Sequence, residues 1–512
     1  MCAAALVVLA AVTFAPQVRH GGFYSDDWAF AVEAHFDRPT YFGAVRHTLH
    51  ETGGGRPVLS LTHPIPHLLF PQSPGPQIAL GLVLGIATCL SFFVLLQMLG
   101  LRALPATLMS CLALVFPWAD SIRLWPVATM ITIAVLLFFL GVVSALAGLA
   151  REGRKSIGLH AIAVACYVAS ILAYQVASLV VLVLVVVYLA HAPVGRAVRR
   201  AAVDVAAIVV ALAWSAHATR HARHVANVRQ MLHDVPAFVH QGTVLFADAL
   251  LAFPGADEHK ALEGLVLVVV LAGVAAAVVR ARREPRVELR WLLVAGAALA
   301  FLVLAYVVLL GSFLYPLDHG IDNRGNVLTA FAYTPLVYAS VMVLAGLIRH
   351  PSAGAIGVGC VCLILVGWVL RVRSDEGDWV HAARLQDSTL ATLARELPVL
   401  PSRSAVVAVS FPGQTAPGVP VFEATWDLSG ALQLTRRDET LKAFPVFDDD
   451  VLACGARALV ASGPGSFGRN EIAYGRLYLV SPTRHRRVTG EESCRAALEA
   501  FPLGPRDASS RG

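Results

Sequence analysis

Long apolar runs recur between positions 2 and 370 of this 512-residue chain. A helix needs about 20 apolar residues to cross a bilayer. We count about eleven runs of this kind, at 2–18, 77–99, 104–116, 127–149, 157–173, 176–189, 201–216, 261–279, 291–310, 327–347 and 353–370. The Tyr174–Gln175 step is interpreted as the break between the fifth and sixth runs. The pattern predicts a polytopic α-helical membrane protein.

Composition excludes a soluble multidomain protein of this length. Hydrophobic residues make up 57% of the chain and charged residues only 14%, where soluble domains carry roughly 25% charged residues. The net charge of +6 does not indicate nucleic-acid binding, because Lys and Arg sit in short clusters between the apolar runs.

Alternate connections between the runs differ strongly in positive charge. One set holds Arg102, Arg151, Arg154, Lys155, Arg196, Arg199, Arg200, Arg280, Arg282, Arg283, Arg286, Arg290 and Arg349. The other short connections hold mainly Arg123 and Arg324. Cytoplasmic loops carry the excess of Lys and Arg. This predicts a cytoplasmic N-terminus and outward segments at 19–76, 117–126, 217–260 and 312–326.

The first run is either a retained helix or a cleaved signal peptide. It lacks a basic n-region and an A-x-A site, and we therefore favour the helix. Cys454 and Cys494 are the cysteines outside the apolar runs. An oxidising compartment outside the cytoplasm permits a disulfide between them.

Composition changes after position 370. Residues 371–512 are predicted to form a small extracytoplasmic α/β domain, separate from the transmembrane domain at 1–370. Helical periodicity covers 379–397, short strands are predicted at 405–410, 456–461 and 476–481, and a closing helix at 491–500. The tail after Gly504 is predicted to be disordered.

The motif Tyr24–Trp28, which reads YSDDW, follows the first run directly. Its adjacent carboxylates, Asp26 and Asp27, repel each other, so one pKa should rise. Such a pair can hold a divalent cation or take a proton from a hydroxyl. The alternative is a solvated helix N-cap. Tyr24 and Trp28 suit the membrane interface.

Several cations in the outward segments are candidates for binding an anion. Arg56 follows a run of glycines and offers a planar fork suited to phosphate oxygens. Arg123 and Arg324 oppose the charge bias, which indicates an anionic ligand or lipid headgroups. Gln175 marks either a substrate contact or a tight turn. His63 and His67 are separated by prolines, which disfavour a shared helical face.

Five short segments resemble the GT-C fold of membrane glycosyltransferases. They are YSDDW at Tyr24–Trp28, GRP at Gly55–Pro57, SIRLW at Ser121–Trp125, AYQ at Ala173–Gln175 and DNRGN at Asp322–Asn326. The similarity is to the bacterial branch of this fold, which decorates envelope polymers using polyprenyl-phosphate sugars, and the chain looks like an actinobacterial member. These relatives often have Tyr-Glu at the Tyr174–Gln175 step.

The resemblance implies inverting sugar transfer on the outer face of a bacterial inner membrane. Asp26 or Asp27 would act as general base, and the pair could bind Mg or Mn, although some members of the fold work without a metal. The implied partners are a polyprenyl-phosphate sugar donor, a glycan or lipid acceptor and membrane lipids. The implied substrate-binding residues are Tyr24, Trp28, Arg56, Arg123, Trp125, Gln175 and Arg324.

Three other functions compete with transfer. A transporter or flippase needs ionisable groups along the spans, where Asp204 is the main candidate. A polymerase or ligase of lipid-linked glycans would place its catalytic residues in a late loop. A non-catalytic envelope assembly protein would use residues 371–512 as a binding module. The early acidic pair favours the transferase.

Overall fold

The computed structural model describes the chain apart from residues 38–39, 53, 220–227, 252–259, 282–287, 311–314, 349, 464–467 and 502–512. The tail after Gly504 therefore lies outside the described residues, as do Arg282, Arg283, Arg286 and Arg349.

Helices account for most of the chain before the first strand. The first ten are α1 (Cys2–His20), α2 (Asp26–Val32), α3 (Tyr41–Glu51), α4 (Pro57–Thr62), α5 (Pro64–Leu69), α6 (Pro74–Met98), α7 (Ala103–Leu114), α8 (Ser121–Leu124), α9 (Thr129–Leu149) and α10 (Gly153–Ala173). They are followed by α11 (Val181–His191), α12 (Val194–Ala218), α13 (Val228–Leu251), α14 (Lys260–Ala281), α15 (Glu288–Val307), α16 (Ala330–Leu347) and α17 (Ala353–Glu396). Short 3₁₀ turns cover Pro117–Ala119, Pro126–Ala128, Gln175–Ala177 and Ile321–Asn326, and a π turn covers Glu33–Asp37.

Within the described residues, nine helices are long and apolar enough to cross a membrane. They are α1, α6, α9, α10, α12, α14, α15, α16 and α17, and two shorter apolar helices, α7 and α11, match the remaining predicted runs. The prediction of a polytopic helical membrane protein is confirmed.

Connections predicted to share a side contact one another. Three hydrogen bonds join connections of the basic set. His191 Nε2 bonds with Met98 O (3.0 Å), and Arg290 and Arg280 donate to Gly100 O (3.0 Å) and Gly346 O (3.0 Å). Three further hydrogen bonds join connections of the other set. Trp125 donates to Tyr24 O (3.0 Å), Asn326 to Trp118 O (2.8 Å) and Trp214 to Gly54 O (3.3 Å). Since successive helices cross the bundle in opposite directions, these are its two ends. We call them the basic end and the site end.

One helix lies where the sequence predicts a loop. Helix α13 occupies Val228–Leu251, most of the predicted outward segment 217–260. Its carbonyls accept hydrogen bonds from Trp368 Nε1 at Ala249 (3.0 Å) and from the Tyr333 hydroxyl at Gly242 (2.9 Å). The helix is more polar than the candidate membrane spans, and contacts with α16 and α17 stabilise it.

The predicted boundary at position 370 falls inside a helix. Helix α17 continues for 44 residues, from the last apolar run into the helical segment predicted at 379–397. No proline interrupts this stretch, so nothing in the backbone ends the helix there. The C-terminal part is therefore joined to the bundle by a continuous helix.

The C-terminal part contains strands and two further helices. The strands are β1 (Ala405–Val409), β2 (Gln414–Ala416), β3 (Val419–Pro420), β4 (Lys442–Val446), β5 (Val451–Cys454), β6 (Ala458–Gly463), β7 (Gly468–Ala473), β8 (Leu477–Ser481) and β9 (Arg484–Val488). The helices are α18 (Thr425–Arg436) and α19 (Glu491–Ala500). Strands β4-β1-β8-β9 form one sheet, in which β1 runs parallel to both neighbours, and β5-β6-β7 form a second, antiparallel sheet. The predicted α/β class is confirmed.

Cys454 and Cys494 form a disulfide between β5 and α19, with their Cα atoms 5.9 Å apart. Cys494 belongs to the apolar core that β1, β6 and β8 share, with Val407, Leu459 and Leu479. The link therefore fixes the closing helix against the sheets.

Asp204 is the ionisable residue that a transport function would have used. It is fully buried and pairs with Arg200, one helical turn away, through two hydrogen bonds. The Tyr188 hydroxyl donates a third (2.8 Å). A buried charge with this many partners is compensated in place and ties α11 to α12. The contacts give no support to a transport path through Asp204.

Candidate active site

Asp27 is a buried structural residue at the site end. Its side chain is 0% exposed. Oδ2 accepts a hydrogen bond from Tyr24 N (2.9 Å) and Oδ1 accepts one from Val127 N (2.9 Å). Burial raises the pKa of Asp27 well above its usual value, and these two amides oppose the rise. Asp27 therefore joins the start of α2 to the start of α9.

Tyr24 and Trp125 complete this buried frame. The Tyr24 hydroxyl donates to Trp379 O on α17 (2.8 Å), and its ring meets the Trp379 ring edge-on at 4.8 Å. Trp125 Nε1 donates to Tyr24 O (3.0 Å). Both side chains are buried, so their contacts position the loop that carries the acidic pair.

Asp26 is the half-buried member of the acidic pair. Burial raises its pKa, while the Arg324 guanidinium and the Trp426 indole lower it. The preceding residue, Ser25, adopts φ 48° and ψ −118°, in a region that L-residues rarely occupy. Strained backbone of this kind costs on the order of 1–3 kcal/mol and often occurs at functional sites.

Arg324 lies across the site from Asp26. Its guanidinium stands over the Trp125 ring at 5.3 Å and contacts Asp322 Oδ1 at 3.4 Å. Its Nη1 also donates to Ile321 O (3.1 Å). These contacts hold a partly exposed cation close to Asp26, where it can meet an anionic group.

Two site residues escaped the sequence analysis, Glu423 and Trp426 of the C-terminal part. Burial raises the pKa of Glu423, the Ser25 hydroxyl lowers it and the charge of Asp26 raises it further. Trp426 faces Asp26. No sequence pattern around these two residues indicates a partner close to the N-terminus, so no local signal could have found them.

Trp28 lies under the C-terminal part. Its ring meets Phe23 edge-on at 5.4 Å and lies 6.3 Å from the Phe422 ring. These neighbours place its ring between Phe23 and the segment that precedes α18.

Arg56 and Gln175 form a separate group at the site end. The Arg56 guanidinium stands over the Tyr174 ring at 4.7 Å, and Gln175 Nε2 donates to the Ser215 hydroxyl (2.8 Å). Their contacts join α4, α10 and α12. The contacts given for Arg56 and Gln175 are with side chains other than Asp26 and Arg324.

Arg123 points into the protein. It is 4% exposed, and a Cβ added at Gly85 of α6 would lie 3.1 Å from its Nε. Within the described chain, its Nε and Nη1 atoms have no hydrogen-bond partner. Burial lowers the pKa of Arg123, while the nearby Cys89 and Asp120 raise it. Its predicted contact with substrate would require access to this interior position.

His63 and His67 meet despite the prolines between them. Their ring centroids lie 5.3 Å apart, and His63 also meets Phe30 at 3.9 Å. In the described parts of the chain, His63 Nε2 and His67 Nδ1 have no hydrogen-bond partner. Burial lowers the pKa of His63 well below its usual value and that of His67 to about 4. The pair is therefore neutral near pH 7.

The acidic pair does not fit a divalent cation well, because both Asp27 oxygens already accept backbone hydrogen bonds. Among the residues that the structure describes, no group of three or more His, Cys, Asp or Glu side chains is placed to hold a metal ion.

Two solved structures are similar to this chain. ArnT from Cupriavidus metallidurans in the apo state has a TM-score of 0.42 and 14% identity, covering 85% of this chain and 88% of that chain. ArnT from the same organism bound to undecaprenyl phosphate has a TM-score of 0.43 and 14% identity, covering 86% and 89%. No family model matches the chain, and no curated protein matches it. A likeness this low decides nothing about chemistry, which depends on the residues described above.

Replacing Asp27 should destabilise the fold. Asp27→Ala leaves the buried amides of Tyr24 and Val127 without an acceptor, at about 1–3 kcal/mol each. We expect a lower thermal unfolding midpoint of the purified chain in detergent, with Asp449→Ala, on an exposed turn, as the matched control. An unchanged midpoint in Asp27→Ala would contradict the structural role.

The histidine pair should make stability depend on pH. Both folded-state pKa values lie below the unfolded value of about 6.5, so protons bind preferentially to the unfolded chain. The stability contributed above pH 6.5 is lost as pH falls toward 4, by about 1.4 kcal/mol per pH unit for each titrating histidine. His67→Gln should flatten this dependence in unfolding measured between pH 7 and 4, and the exposed His50→Gln should not. If stability depends on pH with the same slope in the wild type and both variants, the histidine pair is not the cause of that dependence.

Proposed function

We propose that this protein transfers a sugar from a polyprenyl-phosphate donor to a hydroxyl of a cell-envelope glycan or lipid. Transfer takes place at the site end, on the outer face of a bacterial inner membrane, with inversion at the anomeric carbon. Asp26 is the general base.

The observation that carries this proposal is the opposition of Asp26 and Arg324. Asp26 is half-buried and close to the Arg324 cation, whereas both oxygens of Asp27 accept backbone hydrogen bonds. A carboxylate and a cation facing each other provide a proton acceptor on one side and a partner for negative charge on the other.

The chemistry follows from these two groups. The acceptor hydroxyl loses its proton to the Asp26 carboxylate while its oxygen attacks the anomeric carbon. The bond between that carbon and the phosphate oxygen breaks on the opposite face, and its electron pair stays on the departing phosphate. Arg324 stabilises the charge that gathers there, as preorganised cations do at developing anions.

The position of the site supports a lipid-linked donor. The contacts described above separate the site end from the basic end, and the charge rule assigns the basic end to the cytoplasm. Nucleotide sugars are made in the cytoplasm, so a donor reaching the site end has to come through the membrane. A polyprenyl tail in the bilayer brings its phosphate to the interface at that end.

Asp26→Asn should abolish transfer while leaving the fold intact. General bases contribute about 10²–10⁴-fold to rate, and an amide cannot take the proton. The assay measures transfer from a panel of labelled polyprenyl-phosphate sugars in proteoliposomes, at matched protein levels and unfolding midpoints. Asp448→Asn, exposed in the C-terminal part, is the matched control.

Transfer by Asp26→Asn at the wild-type rate would show that Asp26 is not the general base. Absence of transfer by the wild type across a broad donor panel would favour an assembly or transport function instead.

A further inference from the structure

An apolar cavity of about 540 Å³ lies between α15 and the neighbouring helices α6, α9 and α11. The α15 residues that line it recur every three or four positions and include Arg290, Val294, Ala297, Ala298 and Phe301. This spacing places their side chains on one face of the helix. The alanine side chains are small, so they leave space between α15 and the helices opposite.

The cavity extends from the basic end about halfway through the bundle. Along α15, Phe301 lies about 16 Å from Arg290, at about 1.5 Å per residue. Three further phenylalanines line the inner part, where the Phe331 ring lies 5.1 Å from the Phe92 ring and 4.7 Å from the Phe139 ring. One leaflet makes up half of a hydrocarbon core of about 30 Å. The depth of the cavity therefore matches one leaflet of a bilayer.

The walls of the cavity suit a hydrocarbon chain. Leu99, Leu289 and Leu293 line it and are also exposed, so the cavity opens on the outside of the bundle. Among the described residues that line it, Arg290 is the one with a polar side chain. An enclosed water needs about two to four polar partners, and apolar cavities stay dry. In a bilayer this space is therefore filled by a lipid chain.

The turn between α6 and α7 forms the edge of the cavity at the basic end. His191 Nε2, at the end of α11, bonds with Met98 O (3.0 Å), and Arg290 Nη2 donates to Gly100 O (3.0 Å). The exposed Arg102 follows the same turn. These contacts hold two arginines at the mouth of the cavity.

The positive charge at this mouth has no internal counterion. Within the side chains that the structure describes, neither Arg290 nor Arg102 forms an ion pair with a carboxylate. Glu152, also at the basic end, pairs with Arg196 instead (3.7 Å). Basic pockets between transmembrane helices at the cytoplasmic surface bind the headgroups of anionic lipids. The mouth is thus complementary to a phosphate at the depth where lipid headgroups lie.

We propose that this cavity binds one anionic glycerophospholipid from the leaflet at the basic end. One acyl chain fills the space beside α15, and the phosphate binds Arg290 and Arg102. The lipid completes the packing between α15 and the helices opposite. The site is distinct from Asp26 and Arg324, which lie at the site end, and the inference does not depend on the transfer reaction.

Native mass spectrometry of the purified full-length chain tests the headgroup. The delipidated chain in detergent is titrated with phosphatidylglycerol, or with phosphatidylcholine that has the same acyl chains. We expect one phosphatidylglycerol to bind about fivefold more tightly than phosphatidylcholine, and Arg290→Gln to lose most of this preference. Arg154→Gln, an exposed cation at the same end but outside the cavity, is the matched control. Equal affinity for both lipids in the wild type, or an unchanged preference in Arg290→Gln, would overturn the proposal.

A second variant tests the acyl chain. Ala297→Phe fills part of the cavity, and each methylene kept out lowers affinity about fourfold. We therefore expect phosphatidylglycerol to bind at least about tenfold more weakly, whereas Ala300→Phe, exposed on α15 outside the cavity, should bind as the wild type does. Both variants are compared at matched unfolding midpoints. Unchanged binding in Ala297→Phe would overturn the proposal. Displacement of phosphatidylglycerol by a neutral polyprenol would also overturn it, because the cavity would then belong to an isoprenoid chain.

Discussion

The hydrogen bonds that Asp27 accepts from the amides of Tyr24 and Val127 fix the geometry on which the site depends. They join two segments that are distant in sequence, one after the first span and one before α9. With Asp27 held, the first turn of α2 turns Asp26 toward Arg324, and Trp125 lies beneath the Arg324 guanidinium. Asp27 therefore has a structural role, and Asp26 is left as the proposed base.

Three distant stretches of chain meet around Asp26. The start of α2 supplies Asp26, which we propose as the base, Ile321–Asn326 supplies the Arg324 cation, and residues 418–427 supply Glu423 and Trp426. Helix α17 makes this meeting stable, because it runs without interruption from the bundle into the C-terminal part.

Hydropathy predicted the spans, because burial in a bilayer imposes a length and a composition on each helix. The loop charges predicted which connections share an end of the bundle. Short strands such as Ala405–Val409 and the closing helix Glu491–Ala500 were also predicted within a few positions of their ends. Local patterns could not tell Asp26 from Asp27, since the distinction depends on the amide of Val127. They could not reveal Glu423, whose place at the site depends on contacts between the C-terminal part and the start of α2, or the inward direction of Arg123. Helix α13 was not predicted within the outward segment 217–260, and contacts with α16 and α17 stabilise it.

The most direct test of the account is a cryo-EM structure of the full chain in nanodiscs with a non-transferable polyprenyl-phosphonate sugar. We expect the phosphonate within hydrogen-bond distance of the Arg324 guanidinium, about 3 Å. We also expect the anomeric carbon on the side facing Asp26, with the polyprenyl tail directed toward the bilayer. A headgroup bound at the basic end, or at the site end but away from both Asp26 and Arg324, would contradict it.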